Sequence, residues 1–173
     1  MGASSWNYFV PFQKDLSKAL QELRETVFLR SEYYRRDSFW KEMTFEDFLP
    51  PGMDEEETTE FLEEFQRLQA LPEPTSIETL IQWNGEDGTH SIIDIHEIAA
   101  TSSFGAVAPL SSEELKRFFG TNKPTRAMIE RKGNDLFAFL QQEMGRYRGE
   151  GTYIIVYKDG EPDEIYFVGY LGD

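Results

Sequence analysis

The chain has 173 residues, with 32 acidic and 17 basic side chains and a formal net charge of −15. It contains no cysteine, which excludes disulfides, thiol catalysis and cysteine-held zinc. This length suits one domain, and we expect residues 1–173 to form a single globular domain. No stretch approaches the roughly 18 apolar residues of a membrane span and no secretory signal is recognisable, so a cytoplasmic protein is expected.

The acidic excess is concentrated in the middle of the chain. Residues 51–100 hold 13 acidic side chains and one basic one, whereas residues 101–150 hold six acidic and eight basic ones. Such a charge distribution repels nucleic acid and anionic lipid and attracts basic partners, so we predict no direct binding to nucleic acid or membrane. The alternative is an acidic surface that only keeps the protein in solution.

The N-terminal region predicts a strand, a helix and an aromatic arm. Ser5–Phe12 is short and aromatic, as is typical of a strand, and Gln13–Leu29 carries apolar residues at helical spacing. In Ser31–Leu49, aromatic residues are interleaved with arginines, a pattern that can stack on nucleotide bases. Packing of these rings onto the core is favoured instead, because the negative field of the chain opposes nucleic acid.

Two capping patterns mark helices in the acidic middle. Asp54 with Glu57 three residues later predicts a helix that runs to about Ala70. A similar pattern over Thr75–Glu78 predicts a short helix that Asn84–Gly85 closes.

The segment His90–Ile98 predicts a strand and contains both histidines of the chain. On a strand, Asp94 and His96 point to one face about 6.6 Å apart, whereas His90 lies about 13 Å from Asp94. Asp94 and His96 could bind a divalent cation if a third ligand approached, which would suit a small metal-dependent enzyme. The alternative is that they are polar residues on a half-exposed strand.

Other catalytic patterns are absent from the sequence. It has no phosphate-binding loop, no dinucleotide-binding glycine pattern and no nucleophile elbow. We therefore predict no cofactor and favour a non-catalytic protein over an enzyme.

The C-terminal half predicts three helices and a hairpin. Ala99–Pro109 indicates a loop, Ser111 caps the first helix, and a second, short helix ends near Gly133. A third begins at Asn134 and extends through Tyr147 to a glycine break. The hairpin strands are Thr152–Lys158 and Ile165–Tyr170, with Asp159–Asp163 as the connecting turn.

This element order predicts an α+β fold: a mainly antiparallel sheet of about four strands with several packed helices, ending in a helix and a β-hairpin. No family is recognised from a motif. In general habit the chain is similar to small, acidic, cysteine-free bacterial proteins that bind and neutralise toxins.

The resulting functional hypothesis is a non-catalytic, acidic protein-binding module, such as an immunity or inhibitor protein, that engages a basic protein partner. Mimicry of nucleic acid by carboxylates is a further alternative. The predicted surface has an acidic rim on the second long helix or on the hairpin, around the hairpin tyrosines or the aromatic residues of 33–48. Its residues are Glu56, Glu57, Glu60, Glu64, Tyr157, Asp159, Glu161, Asp163, Glu164 and Tyr166.

Overall fold

A computed structural model describes residues 3–35, 41, 44–49, 52, 54–146 and 148–172. The chain divides into two compact units. The first consists of Met1–Tyr33 together with His90–Asp173, and the second of Tyr34–Thr89. None of the described helices is long and apolar enough to cross a membrane.

The first unit is built on a mixed sheet. Its described strands are β1 (Ala3–Pro11), β2 (Glu97–Ile98), β3 (Ala106–Pro109), β4 (Gly151–Lys158) and β5 (Glu161–Gly172). They lie in the order β1-β5-β4-β3-β2. The pairs β1–β5 and β5–β4 are antiparallel, whereas β4–β3 and β3–β2 are parallel.

The α+β class is confirmed, but the expectation of about four mainly antiparallel strands is wrong because the sheet has five described strands and is mixed. The missed strand is β3, which lies inside the predicted loop Ala99–Pro109. Ala106, Val107 and Ala108 are all fully buried, so this strand has no alternation of apolar and polar residues. A short parallel strand covered on both faces gives no such pattern.

Helices pack over one face of this sheet. They are α5 (Ser112–Phe119) and α6 (Arg126–Ala138), followed by a π-helical turn at Phe139–Glu143. Their apolar residues join strand residues in one buried cluster, which includes Leu110, Phe119, Ile129, Leu136, Phe139, Leu140, Ile154, Val156, Tyr166, Val168 and Tyr170. The hairpin is therefore held by its inward side chains.

Helix α1 (Leu16–Leu29) begins at its cap Asp15, in agreement with the predicted helix. It buries Ala19, Leu20, Leu23 and Val27. Its Arg24 guanidinium donates hydrogen bonds of 3.1 and 3.0 Å to the carbonyl of Ile93. These bonds fix the helix to the segment that precedes β2.

The predicted strand His90–Ile98 is mostly wrong. Ile92–Asp94 forms a 3₁₀ turn that Ser91 caps, and His90 has a φ of 53°. Only Glu97–Ile98 is a strand. Ile92, Ile93 and Ile95 are each fully buried, which explains why strand alternation fails: three isoleucines enter the core from a turn.

Of the two predicted boundaries in the C-terminal helices, the break at Gly133 is confirmed and the end of the last helix is earlier than predicted. Gly133, with φ 36° and ψ −115°, interrupts α6, so a break occurs where two helices were expected to meet. The helical region then ends at Glu143 with Met144 as its cap, before Gly145 with a φ of 61°. The predicted extension to Tyr147 falls outside the described residues.

The second unit contains the helices α2 (Phe45–Phe48), α3 (Glu55–Gln69) and α4 (Ile77–Asn84). The ring of Phe45 lies 5.8 Å from that of Phe61 and 5.7 Å from that of Phe65. This contact agrees with the expectation that the arm packs its aromatic residues inward, although residues 36–40, 42 and 43 of the arm lie outside the described residues.

The two caps of this unit differ in how well they were predicted. Asp54 and Glu57 form the predicted capping box of α3. The cap of α4 is Ser76 rather than Thr75, because the Ser76 hydroxyl accepts the bond from the amide of Thr79.

Candidate protein-binding surfaces

Helix α3 presents the densest described group of acidic side chains. Glu56, Glu60 and Glu63 are exposed and fall within about 60° of one another around the helix axis, at 100° per residue. They therefore form one acidic face, which we call the α3 acidic face.

Glu57, Glu64 and Arg67 of α3 have structural partners. The carboxylate of Glu57 accepts from the backbone amide of Asp54 at 3.2 Å, and the Asp54 carboxylate accepts from the amide of Glu57 at 2.9 Å. Arg67 donates to the two carboxylate oxygens of Glu64 at 2.7 and 2.5 Å. This bonding to Glu64 raises the pKa of Arg67. Of the four predicted site residues on α3, Glu57 and Glu64 thus bond to neighbouring groups of the same helix and its cap, while Glu56 and Glu60 lie on the acidic face.

The α3 acidic face has an energetic cost. Like charges three or four residues apart on a helix destabilise it by about 0.2–0.5 kcal/mol per pair. Glu60 with Glu56 and Glu60 with Glu63 are two such pairs, and Arg67 is the one basic residue of the helix. Arg67 follows Glu63 by four residues, but its guanidinium is bound by Glu64, so it does not offset the repulsion between Glu60 and its two neighbours.

The hairpin supplies a second acidic group, arranged differently from the prediction. Asp159 and Gly160 alone form the turn, with φ values of 52° and 86°, and β5 already begins at Glu161. An Asp-Gly pair favours this two-residue turn with positive φ, so strand pairing resumes earlier than expected. Pro162 pairs with Tyr157 beside a shift of register, where a missing amide donor is tolerated.

Basic side chains lie close to the acidic residues of the hairpin. The Glu164 carboxylate accepts from Arg126 at 2.7 Å. The Lys123 ammonium donates to the carbonyl of Gly160 at 2.9 Å and lies 5.1 Å from the centre of the Tyr157 ring. The exposed carboxylates of Asp159, Glu161 and Asp163 therefore lie close to positive charges.

The two predicted tyrosines of the hairpin differ in burial. Tyr157 is half-buried, whereas Tyr166 is 6% exposed and its ring centre lies 4.4 Å from that of Phe9. Burial raises the pKa of Tyr166 to about 12. The structure therefore does not bring these tyrosines together, and Tyr166 belongs to the core.

Asp94 and His96 do not lie on one strand, which was the geometry assumed for the predicted metal site. Asp94 closes the 3₁₀ turn, while His96 lies just before β2 and is exposed. The His96 amide donates to the carbonyl of Gly105 at 2.6 Å. The imidazole of His96 also lies against Gly105, since a Cβ built there would be 3.1 Å from its Cδ2. Within the described ranges, no group of three or more His, Cys, Asp or Glu side chains is placed to hold a metal ion.

One buried charge was missed by sequence reasoning. Arg146 is 7% exposed and donates to the carbonyl of Pro109 at 3.3 Å, but its Nε has no partner among the described atoms. Burial lowers the pKa of Arg146, while Glu114 and Glu150 oppose that shift. The position of Arg146 between Gly145 and Gly149 gives no sequence signal of burial. Its hydrogen bond to the carbonyl of Pro109 links β3 to the loop before β4.

Comparison of the chain with protein-family models, with curated proteins and with solved structures found no match.

Proposed function

We propose that this protein is a non-catalytic binding module that engages a basic protein partner through the α3 acidic face. The observation that carries the proposal is the exposed row Glu56, Glu60 and Glu63 on a helix whose single arginine is already bound by Glu64. An immunity or inhibitor protein is the class of binding protein that fits best.

A surface that served solubility alone would place its charges with less mutual repulsion, since both signs can be interspersed. Grouped negative charge raises the association rate of a basic partner and selects against acidic ones. The repulsion within α3 is the expected cost of such a surface.

The hairpin tip is the second candidate rim. Asp159, Glu161 and Asp163 are exposed, but Lys123, Lys158 and Arg126 lie near them in space or sequence. Its local field is therefore weaker than that of α3, and we assign it a secondary role in partner binding.

Capture from the native host tests the proposal. Tagged wild-type protein is compared with a variant that carries Glu56→Gln, Glu60→Gln and Glu63→Gln, and the retained proteins are identified. We expect one basic protein to be retained by the wild type and lost, or bound at least about tenfold more weakly, by the triple variant.

A matched control keeps the net charge of the chain. Glu64→Gln with Arg67→Gln removes one internal ion pair and leaves the α3 acidic face intact. It should bind the partner like the wild type. Equal retention of the partner by the triple variant would contradict the role assigned to α3, and an acidic or neutral partner would contradict the class of partner.

A further inference from the structure

The acidic excess of the chain is carried mainly by the second unit. Its 56 residues, Tyr34–Thr89, hold 15 acidic and four basic side chains, a formal net charge of −11. The first unit, with 117 residues, carries only −4. Like charges confined to a small volume repel one another, and this repulsion lowers the stability of the compact state.

Little apolar burial offsets this repulsion in the second unit. Prolines aside, its described residues bury three apolar side chains, those of Phe65, Ile77 and Leu80. The described residues of the first unit bury 24. Burial of apolar surface is the main source of folding free energy, and a small unit buries little of it. The second unit is therefore expected to be the less stable of the two.

The two ends of the second unit lie side by side. The Tyr34 amide donates to the carbonyl of Thr89 at 2.8 Å. The buried Asn84 side-chain amide donates to the carbonyl of Tyr34 at 2.8 Å and to that of Gly88 at 2.7 Å. A segment whose ends lie side by side can unfold as a loop without displacing the residues that flank it.

We infer that Tyr34–Thr89 opens as one cooperative unit while the first unit stays folded, and that ionic strength sets how often it opens. Salt screens exposed charges over a Debye length that falls from about 10 Å at 0.1 M to about 3 Å at 1 M. Added salt should therefore stabilise the second unit more than the first. The inference requires no binding partner, so it can fail while the proposed function stands, and the reverse.

Native-state hydrogen exchange in the full-length protein tests this behaviour. At about 50 mM sodium chloride, the amides of Tyr34, Phe65 and Leu80 should exchange through one shared opening and show a common protection factor. Those of Val27 and Phe167, in the first unit, should be at least about a hundredfold better protected. At about 500 mM, protection of the first three should rise at least about fivefold, and that of the other two less than about twofold.

The triple variant of the α3 acidic face tests the role of charge. It removes three negative charges from the second unit, so protection of Phe65 and Leu80 should rise at low salt and respond less to added salt. A matched control removes three exposed acidic side chains from the first unit through Glu97→Gln, Glu161→Gln and Asp163→Asn. This control should leave the protection of Phe65 and Leu80 within about twofold of the wild type.

Asn84→Ala tests the closure of the unit at its ends. The substitution removes both side-chain hydrogen bonds and leaves two carbonyls without that donor, so protection of Tyr34 and Leu80 should fall at least about tenfold. The amides of the first unit should keep their protection. Gln82→Ala, at an exposed position of the same helix, should change neither unit by more than about twofold.

Each of four results would overturn the inference. Equal protection of the two units would mean that the chain unfolds as a whole, and unequal protection among Tyr34, Phe65 and Leu80 would indicate fraying. An equal response of both units to salt, or an equal effect of the triple variant and its control, would remove the role of charge. Loss of protection throughout the chain in Asn84→Ala would show that the two units fold together.

Discussion

Trp6 connects three strands through contact with two glycines. A Cβ at Gly169 would overlap its indole ring, and one at Gly151 would lie 2.9 Å from the indole Cη2. Trp6 pairs directly with Gly169 across β1 and β5, and Gly151 pairs with Gly169 across β4 and β5. The bare backbone at these two positions provides the space in which the indole is buried.

Gly169→Ala should therefore lower the free energy of unfolding by about 1–3 kcal/mol, because an overpacked core must shift. Urea denaturation measures this change. Trp6→Leu shortens the overlapping ring, and in that background the cost of Gly169→Ala should be smaller. The same cost in both backgrounds would show that the indole is not the source of the strain.

Two buried tyrosines predict a loss of stability at alkaline pH. Burial raises the pKa of Tyr166 and of Tyr170 to about 12, from an ordinary value of 10.0. Below pH 10 both states keep the proton and stability is unaffected. Between pH 10 and 12 the unfolded chain ionises first, so stability falls by up to about 1.4 kcal/mol per pH unit for each tyrosine.

Phenylalanine variants test this dependence. Tyr166→Phe should change stability little at pH 7 and reduce the alkaline loss. Tyr170→Phe should also cost about 1 kcal/mol at pH 7, because the Tyr170 hydroxyl donates to the carbonyl of Phe137. Denaturant titrations from pH 8 to 12 measure both effects. If the free energy of unfolding falls with pH as steeply in both variants as in the wild type, these two tyrosines are not the source of the alkaline loss.

At the scale of single elements, the cap of α5 gives a matched pair of substitutions. The Ser111 hydroxyl accepts from the amide of Glu114 at 3.2 Å, and the Glu114 carboxylate accepts from the amide of Ser111 at 2.6 Å. Ser111→Ala should cost about 1 kcal/mol of unfolding free energy. Ser112→Ala, one residue further on at an exposed position, should stay within about 0.5 kcal/mol of the wild type.

Substitutions on helix α3 are expected to raise stability, whereas removal of the α5 cap lowers it. Glu60→Gln with Glu63→Gln removes like-charge repulsion, so the variant should be a few tenths of a kcal/mol more stable than the wild type at low salt. Added salt should reduce the difference, because it screens exposed charges. Thermal unfolding at two salt concentrations measures this change. A less stable variant would indicate that these carboxylates serve the fold.

The elements that sequence reasoning predicted are those whose own residues specify them. The caps Asp54 and Ser111 bind within their own helices, and the hairpin strands carry β-branched and aromatic residues, so both could be read locally. The segment around Ile92 could not, because strand-like residues form a turn that the core and Arg24 hold in place. β3 was hidden for a similar reason, since its pairing with β4 is a long-range contact.

The candidate surface was predictable in composition but not in geometry. The charge count located the acidic residues within 51–100, and the capping pattern at Asp54 predicted the helix that carries many of them. The sequence could not show that Glu64 is bound by Arg67, or that Tyr166 is buried, since each depends on side-chain placement.

For the molecule as a whole, the net charge of −15 predicts how a basic partner approaches. Steering by charge acts before contact and weakens as ions screen it over a Debye length of about 8 Å at physiological ionic strength. Association should therefore be fast at low salt and slow as salt is added, while dissociation changes less. This kinetic pattern separates a binding surface from a solubilising one.

The association rate constant across a salt series shows whether the α3 acidic face steers a basic partner. It should be measured by stopped flow with the captured partner, for the wild type, for the triple variant Glu56→Gln, Glu60→Gln and Glu63→Gln, and for the charge-neutral control Glu64→Gln with Arg67→Gln. We expect the triple variant to associate more slowly at low salt and to depend less on salt, while the control matches the wild type. Equal rates and equal salt dependence in all three proteins would contradict it.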